Sequence, residues 1–196
     1  LLSRLDYLCR ARHVPKSELL PTHSALTSFC RDICSLPDFS SKRFPFAPRS
    51  AGGLGLVHLS TNAAILRIAQ ACRMLDSSDP CVAGVALYRL DQALTASGVS
   101  SPSARERSAF LSPPVTAPLP RQHCPSFWHD VQRCLHDLHA RMDIADSLIT
   151  VSATDPDGSV HALAPRAIIP KLRDFARRAE GAAWSAQPAQ GRVSRC

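Results

Sequence analysis

Residues 60–75, STNAAILRIAQACRML, and residues 79–98, DPCVAGVALYRLDQALTASG, predict two consecutive helices that decide the fold class. Apolar side chains recur in both at the spacing of a helix with one buried face. They are Ile65, Ile68, Cys72 and Leu75 in the first helix and Val82, Ala86, Leu90 and Leu94 in the second. Asp79 before Pro80 is a strong helix start, and Gly98 is a good helix end. Together the two segments predict an antiparallel helical hairpin.

Just before this hairpin, residues 44–56 read FPFAPRSAGGLGL and place three glycines within four positions, Gly52, Gly53 and Gly55. Glycine adopts backbone angles that side chains forbid, and it lets another segment or a phosphate come close. We expect at least one of the three to have a positive φ, with the leucines that flank Gly55 pointing into the bundle. The segment has neither the lysine of a P-loop nor the spacing of a dinucleotide fingerprint, so a tight turn between helices is the simpler interpretation.

Further helical patterns lie on both sides of these segments. One helix begins at Leu1, and a second, from about Thr22 to Pro37, is expected to bury Phe29 and Ile33. In the hairpin, Arg67 is expected on the outer face. The longest helix is expected after residue 126, with a buried stripe formed by Phe127, Val131, Leu135, Leu138, Met142 and Ala145.

The carboxyl-terminal part combines a short hairpin with a basic helix. Strands are predicted at 148–152 and 160–163, joined by a turn at Asp155-Pro156-Asp157-Gly158. The helix runs from about residue 170 to 184, and its basic side chains are Lys171, Arg173, Arg177 and Arg178. These side chains could contact a nucleic-acid backbone or form the solvent-exposed face of the helix. Both interpretations stay open because the negative charges of Asp174 and Glu180 reduce the positive charge of this face.

The composition favours a nucleic-acid partner. The formal net charge is +7, and 20 of the 23 basic residues are arginine. The guanidinium group is a planar fork that binds phosphate through two hydrogen bonds. GC-rich coding produces a similar composition without any binding role. The chain shows no apolar run long enough to span a membrane and no secretory signal, so we expect an intracellular, nuclear protein that is not secreted and has reduced cysteines.

The order of motifs between residues 26 and 75 resembles a known family. LTSFCRDICSLP (26–37) precedes a basic-aromatic connector, AGGLGLVHLS (51–60) and the helix NAAILRIAQACRML (62–75). This order is similar to the region after the polymerase palm in reverse transcriptases of non-LTR (LINE-like) retrotransposons. There a helical thumb ends in Leu-Pro, and an extended stretch leads to a GGLGL signature and a helix. The resemblance covers residues 1–97 and is specific over 26–75.

The resemblance implies a thumb and post-thumb segment that holds an RNA or DNA template–primer duplex by its backbone. The residues that it implies for this binding are Lys42, Arg43, Arg49, Gly52, Gly53 and Gly55. The family's paired aspartates are missing, since no two aspartates are adjacent in this chain. We therefore expect a fragment or degenerate copy without the catalytic palm, with no catalytic residue and no cofactor. Mg²⁺ would belong to the palm of the parent enzyme.

Two sets of Cys and His residues invite a metal interpretation. One consists of three side chains on a single predicted helix, His23, Cys30 and Cys34. Structural zinc sites normally have four ligands from paired knuckles, so this set is incomplete. The other repeats every five residues, at Cys124, His129, Cys134 and His139. Helix positions five apart step about 140° round the axis and do not converge on one ion, so we expect no metal site.

The whole chain predicts a mainly α fold, a helical bundle of about five or six helices with at most one small β-hairpin. Residues 1–98 are expected to form a thumb-like helical region with the GGLGL turn and the hairpin at 61–97. A Pro/Ser-rich linker at 99–125, a helical region at 126–184 and a disordered tail at 185–196 follow. The predicted function is nucleic-acid backbone binding within a retrotransposon RNA-directed DNA polymerase. The alternatives are a helical protein–protein interaction module and a non-functional relic of a mobile element.

Overall fold

The structure, a computed structural model, describes residues 2–11, 14–37, 40–114, 126–145, 148–164 and 167–186. Over these residues the chain forms seven α-helices and a three-stranded antiparallel sheet of order β1-β2-β3. The helices are α1 (Leu2–Ala11), α2 (Lys16–Ile33), α3 (Leu59–Leu75), α4 (Pro80–Ala96), α5 (Ala104–Phe110), α6 (Phe127–Asp137) and α7 (Ile168–Ser185). The strands are β1 (Ala140–Ala145), β2 (Leu148–Thr154) and β3 (Val160–Leu163). The mainly α prediction is confirmed, and the third strand is a correction.

The ends of the second helix of the central pair follow the sequence prediction, whereas Val82, expected on its buried face, is 42% exposed. Asp79 Oδ1 accepts a hydrogen bond from the Cys81 N–H at 2.9 Å, which caps α4. At the other end Gly98 has φ of 95°, and its N–H donates to the Thr95 carbonyl. The next N–H, of Val99, reaches back to an earlier carbonyl of α4, which completes a Schellman ending. Local capping chemistry therefore defines both ends of α4.

The hydrophobic core is built around α3, which contacts α1, α2, α4, α6 and α7. Ile65, Leu66 and Ile68 of α3 are completely shielded from solvent. One continuous apolar cluster runs from α3 and α4 through α6 to the sheet and α7. The two regions that the sequence separates at residues 99–125 therefore share a single core.

The predicted linker contains a packed helix. At the start of α5, Ser103 and Glu106 form a reciprocal capping box, with N–H to oxygen distances of 2.6 and 3.3 Å. Ser108 Oγ accepts a hydrogen bond from the Ile144 N–H at 2.9 Å, which ties α5 to β1. The interpretation of residues 99–114 as a spacer is thereby corrected, and the rest of the linker lies outside the described residues.

The helix predicted after Ser126 ends at Asp137, earlier than its apolar stripe suggests. His139 takes φ of 50°, a left-handed conformation that ends an α-helix, and the chain continues as β1. Buried and exposed residues alternate along β1, so Met142 is buried on a strand and Ala145 is exposed. Residues 140–145, ARMDIA, alternate with the period of two that favours a half-buried strand. This local alternation overrides the helical pattern that continues from residue 127.

Helix α2 begins earlier than predicted and turns a different face to the core. Leu19 and Cys30 are buried, whereas Phe29 and Ile33 are 60% and 66% exposed. Leu19 and Cys30 are eleven residues apart, which is about three full helical turns, so they share one face. A helix on the surface buries only one such face, and the neighbouring stripe with Phe29 and Ile33 remains outside.

Arg67 is buried, which corrects the prediction of an outward-facing side chain. Its Nη2 lies 3.4 Å from Asp130 Oδ2 on α6, and its Nη1 donates to the Arg10 carbonyl on α1 at 3.3 Å. Its guanidinium group also lies 4.7 Å from the centre of the Phe127 ring. Since α1 and α6 cover this side of α3, the charge is removed from water and needs the carboxylate of Asp130.

The hairpin and basic helix at the carboxyl end lie where the sequence predicts them, although Arg173 is half-buried and donates to Asn62 at 2.9 Å. The Gly158 N–H donates to the Asp155 carbonyl at 2.9 Å, and Gly158 has φ of 87°, so the Asp-Pro-Asp-Gly segment is a turn. Leu172 and Phe175 of α7 are buried. The described helices include none that is long and apolar enough to cross a membrane. The predicted tail lies outside the described residues from residue 187 onward.

Candidate nucleic-acid interface

The glycine segment forms a compact turn between α2 and α3. Two short 3₁₀ helices, Phe44–Phe46 and Arg49–Ala51, lead into it. Gly52 and Gly55 have φ of 83° and 64°, so the prediction of a positive φ is confirmed. Glycine is needed at these two positions because a side chain would strain the left-handed backbone.

The backbone N–H groups of the turn are used within it. Four of them donate to carbonyl oxygens of residues 45–49. The pairs are Gly52 to Arg49 at 3.0 Å, Gly53 to Pro48 at 3.1 Å, Gly55 to Ala47 at 2.9 Å and Leu56 to Pro45 at 2.9 Å. These groups are therefore not available to cradle a phosphate. The glycines shape the chain, and these four N–H groups contribute nothing to anion binding.

Gly53 permits the closest approach in the turn. A Cβ atom at this position would lie 2.2 Å from the Ala47 carbonyl oxygen, far inside van der Waals contact. Leu54 and Leu56, expected to point into the bundle, are half-buried and not part of the fully buried core. Phe46, which is almost completely buried, fills the core beneath the turn instead.

Two arginines from distant parts of the chain hold adjacent carbonyl groups of the turn. Arg49 Nε donates to the Leu54 oxygen at 3.4 Å. Arg177 Nε, on α7, donates to the Gly55 oxygen at 3.1 Å. Both side chains are exposed, as predicted for Arg49, and Arg177 also donates through Nη1 to Asp174 at 2.8 Å. The structure thus brings the basic helix and the glycine turn, predicted as separate features, to one place.

Lys42 and Arg43 add two positive charges to the connector that carries Arg49. Both are exposed just before the first 3₁₀ helix. The charge of Arg43 is one of the causes that lower the pKa of His58, which places Arg43 near the start of α3. We call Lys42, Arg43, Arg49 and Arg177 the basic surface. Asp174, which pairs with Arg177 at 2.8 Å, offsets part of its charge.

A stack of three rings fixes the turn to the helices. His23 of α2, Phe46 and His58 lie nearly parallel, and their ring centres are 3.8 to 4.9 Å apart. His58 Nε2 also lies 3.4 Å from Glu180 Oε1 on α7. Burial lowers the pKa of both imidazoles, and at His58 the charge of Glu180 partly opposes this effect. The rings therefore favour the neutral state.

This lowered pKa predicts a pH-dependent stability. The unfolded chain takes up protons at His58 more readily than the folded chain. The part of the folding stability that depends on neutral His58 is therefore complete above about pH 6.5 and is lost as the pH falls. We expect urea denaturation to give a lower free energy of unfolding at pH 5.5 than at pH 7.5. In the His58→Gln variant this difference should be smaller. An unchanged difference in that variant would contradict the assignment.

A cavity of about 670 Å³ lies beside the basic surface. It is enclosed by residues 56–58 after the turn, by the ends of α6 and β2, and by α7. Its polar groups include His58, Asp155 and Glu180. The sequence showed Asp155 only as part of a turn, and no periodic pattern indicates that these segments meet.

The described members of the two candidate metal sets do not form a group that could hold a metal ion. Among the residues that the structure describes, no three His, Cys, Asp or Glu side chains are grouped so as to hold a metal ion. In the first set, Cys30 is buried and His23 is engaged in the ring stack. In the second set, Cys124 lies outside the described residues.

Comparisons of the chain with protein-family models, with curated proteins and with solved structures give no match.

Proposed function

We propose that the chain binds the sugar–phosphate backbone of a nucleic-acid duplex, as a thumb and post-thumb segment of a LINE-like RNA-directed DNA polymerase does. The observation that supports this most directly is the pair of exposed arginines on the carbonyls of Leu54 and Gly55. Each holds the turn through its Nε. Arg177 gives a further N–H to Asp174, and the proposal assigns the other guanidinium N–H groups to phosphate. Guanidinium groups held in this way lose little rotamer freedom when they bind phosphate.

The charge distribution agrees with this role. Lys42 and Arg43 lie on the same connector as Arg49, in a chain whose formal net charge is +7. Contacts of this kind are independent of base sequence and position the duplex without reading it. The glycines contribute by shaping the support of the arginines. Catalysis and Mg²⁺ belong in this proposal to a palm domain outside the chain.

The basic surface predicts a specific salt dependence. Binding to B-form DNA should weaken with salt, with a slope of log K against log salt of about −0.9 for each phosphate neutralised. We expect the double variant Arg49→Gln, Arg177→Gln to bind duplex more weakly and to lose about 1.8 from the magnitude of that slope. Fluorescence anisotropy with a labelled duplex over a range of NaCl concentrations measures both quantities.

A matched control is Arg73→Gln, since Arg73 is exposed near the end of α3 and does not belong to the basic surface. This variant should retain the slope of the unmodified chain. If Arg73→Gln and the double variant have the same effect, binding is spread over the whole surface and the proposed site is wrong. A salt-insensitive affinity would contradict backbone binding itself.

The second candidate function is a helical protein–protein interaction module. It is favoured by exposed apolar side chains on α4, where Val85 and Tyr88 are 60% and 61% exposed. A groove of about 820 Å³ lies between α3, α4 and α6 beside them. A protein partner on this groove would protect α4 from solvent without any salt-dependent binding of DNA. A relic would show neither property.

A further inference from the structure

The cavity beside the turn combines an apolar wall with a few polar groups. Leu172, Phe175 and Ala176 of α7 form part of the apolar wall, and Phe175 gives that wall an aromatic ring. A volume of about 670 Å³ lies within the range of sites for small organic groups. Phe175 is 7% exposed, and the Arg178 guanidinium group lies over its ring, 4.4 Å from the ring centre. Phe175 therefore contributes apolar surface to the wall.

The polar groups of the cavity are rich in hydrogen-bond acceptors. Asp155 is 8% exposed, and its Oδ2 lies 3.1 Å from Arg178 Nη1 and 3.3 Å from His161 Nε2. Its Oδ1 is buried without a hydrogen-bond partner. A buried carboxylate oxygen without a donor is costly, so this group is suited to receive an N–H from a ligand. Glu180 and Asp137 add two further carboxylates to the lining, and Arg141 adds one cation.

The cavity adjoins the basic surface through two chain segments. Leu56 lines the cavity and directly follows Gly55, whose carbonyl holds Arg177. On α7, Ala176 lines the cavity and directly precedes Arg177. Cations that suit a phosphate are thus next to a pocket whose acceptors and apolar wall suit a base. The basic surface attracts an anionic group, and the cavity beside it attracts a group with N–H donors.

We propose that the cavity takes the base of one unpaired nucleotide whose phosphate lies on Arg49 and Arg177. This inference rests on the proposed function, and it adds that the site prefers a duplex with a single-stranded end over a blunt duplex. The base packs against the apolar wall of α7 and donates an N–H to the carboxylate of Asp155. Burial of the base provides the preference for a single-stranded end. The phosphate contacts are the same for a blunt end and a single-stranded end.

The test compares three labelled DNA hairpins with one common stem: a blunt end, a three-nucleotide 3′ overhang, and the same overhang with abasic residues. Anisotropy at low salt should show that the unmodified chain binds the normal overhang at least about fivefold more tightly than the blunt hairpin. The abasic overhang, which keeps the phosphates, should bind like the blunt hairpin. This comparison needs no variant and therefore does not depend on how any variant folds.

The variant Ala179→Trp is then expected to remove the preference. Ala179 lines the cavity and is exposed, so a larger side chain fills the space without entering the core. The affinity of the Ala179→Trp variant for the blunt hairpin should equal that of the unmodified chain. Ala109→Trp is the matched control, because Ala109 is an exposed alanine on α5 away from the cavity, and this variant should keep the preference.

Each outcome separates the two proposals. Equal binding of blunt and overhanging hairpins overturns the nucleotide pocket and leaves backbone binding in place. A preference that Ala179→Trp does not remove, or that the abasic overhang retains, also overturns the pocket. Binding of the overhang alone supports the pocket and contradicts duplex binding. Absence of binding to all three hairpins at low salt overturns both proposals.

Discussion

Replacing Asp130 by alanine is expected to lower the free energy of unfolding by about 3–5 kcal/mol. The substitution leaves Arg67, which is 6% exposed, as a buried charge without its carboxylate. The guanidinium group is held between α1, α3 and α6, so it cannot move into water unless these helices separate. A loss of this size is a large part of the stability of a typical domain. Urea denaturation followed by circular dichroism measures it.

Two further variants isolate the cause. In Asp174→Ala the same kind of Arg–Asp pair is broken on the exposed face of α7, and the cost should be below about 1 kcal/mol. The double variant Arg67→Met, Asp130→Leu removes both charges and should regain much of the lost stability. If Asp130→Ala costs no more than Asp174→Ala, the buried pair does not have the role assigned to it.

The second large effect is expected at Gly53. A Cβ atom there would lie 2.2 Å from the Ala47 oxygen and 2.6 Å from the Ala47 carbonyl carbon, both of which are backbone atoms. Gly53→Ala must therefore move the connector, which weakens the hydrogen bonds of Gly53 and Gly55 to residues 48 and 47. Overpacking strain and weakened hydrogen bonds together should cost about 2–4 kcal/mol.

Gly52 provides the control for this prediction. It has φ of 83°, but a Cβ atom added there would meet no atom within 4 Å, so Gly52→Ala introduces only the strain of a left-handed backbone. We expect a cost of about 1–2 kcal/mol from thermal or urea denaturation. An equal or smaller cost for Gly53→Ala would show that the connector yields easily and that the turn is not the rigid support of Arg49.

Elements with strong local signals were predictable. The ends of α4 follow from Asp79, Pro80 and Gly98, because a cap is satisfied by residues within one turn of it. The positive φ at Gly52 and Gly55 likewise follows from residue type. The break between α6 and β1 was missed, since the helical and strand periods overlap there and the alternation is only six residues long.

The sequence by itself determined the helical character of the chain, the caps of its central hairpin, the glycine turn and the abundance of arginine, because each depends on neighbours along the chain. Only the tertiary structure decided which helix face is buried, and so placed Arg67 against Asp130 and left Phe29 exposed. It also decided that Arg177 meets Gly55, 122 residues away. Such contacts depend on how whole helices pack around α3, and periodicity within one segment contains no information about which neighbour will cover it.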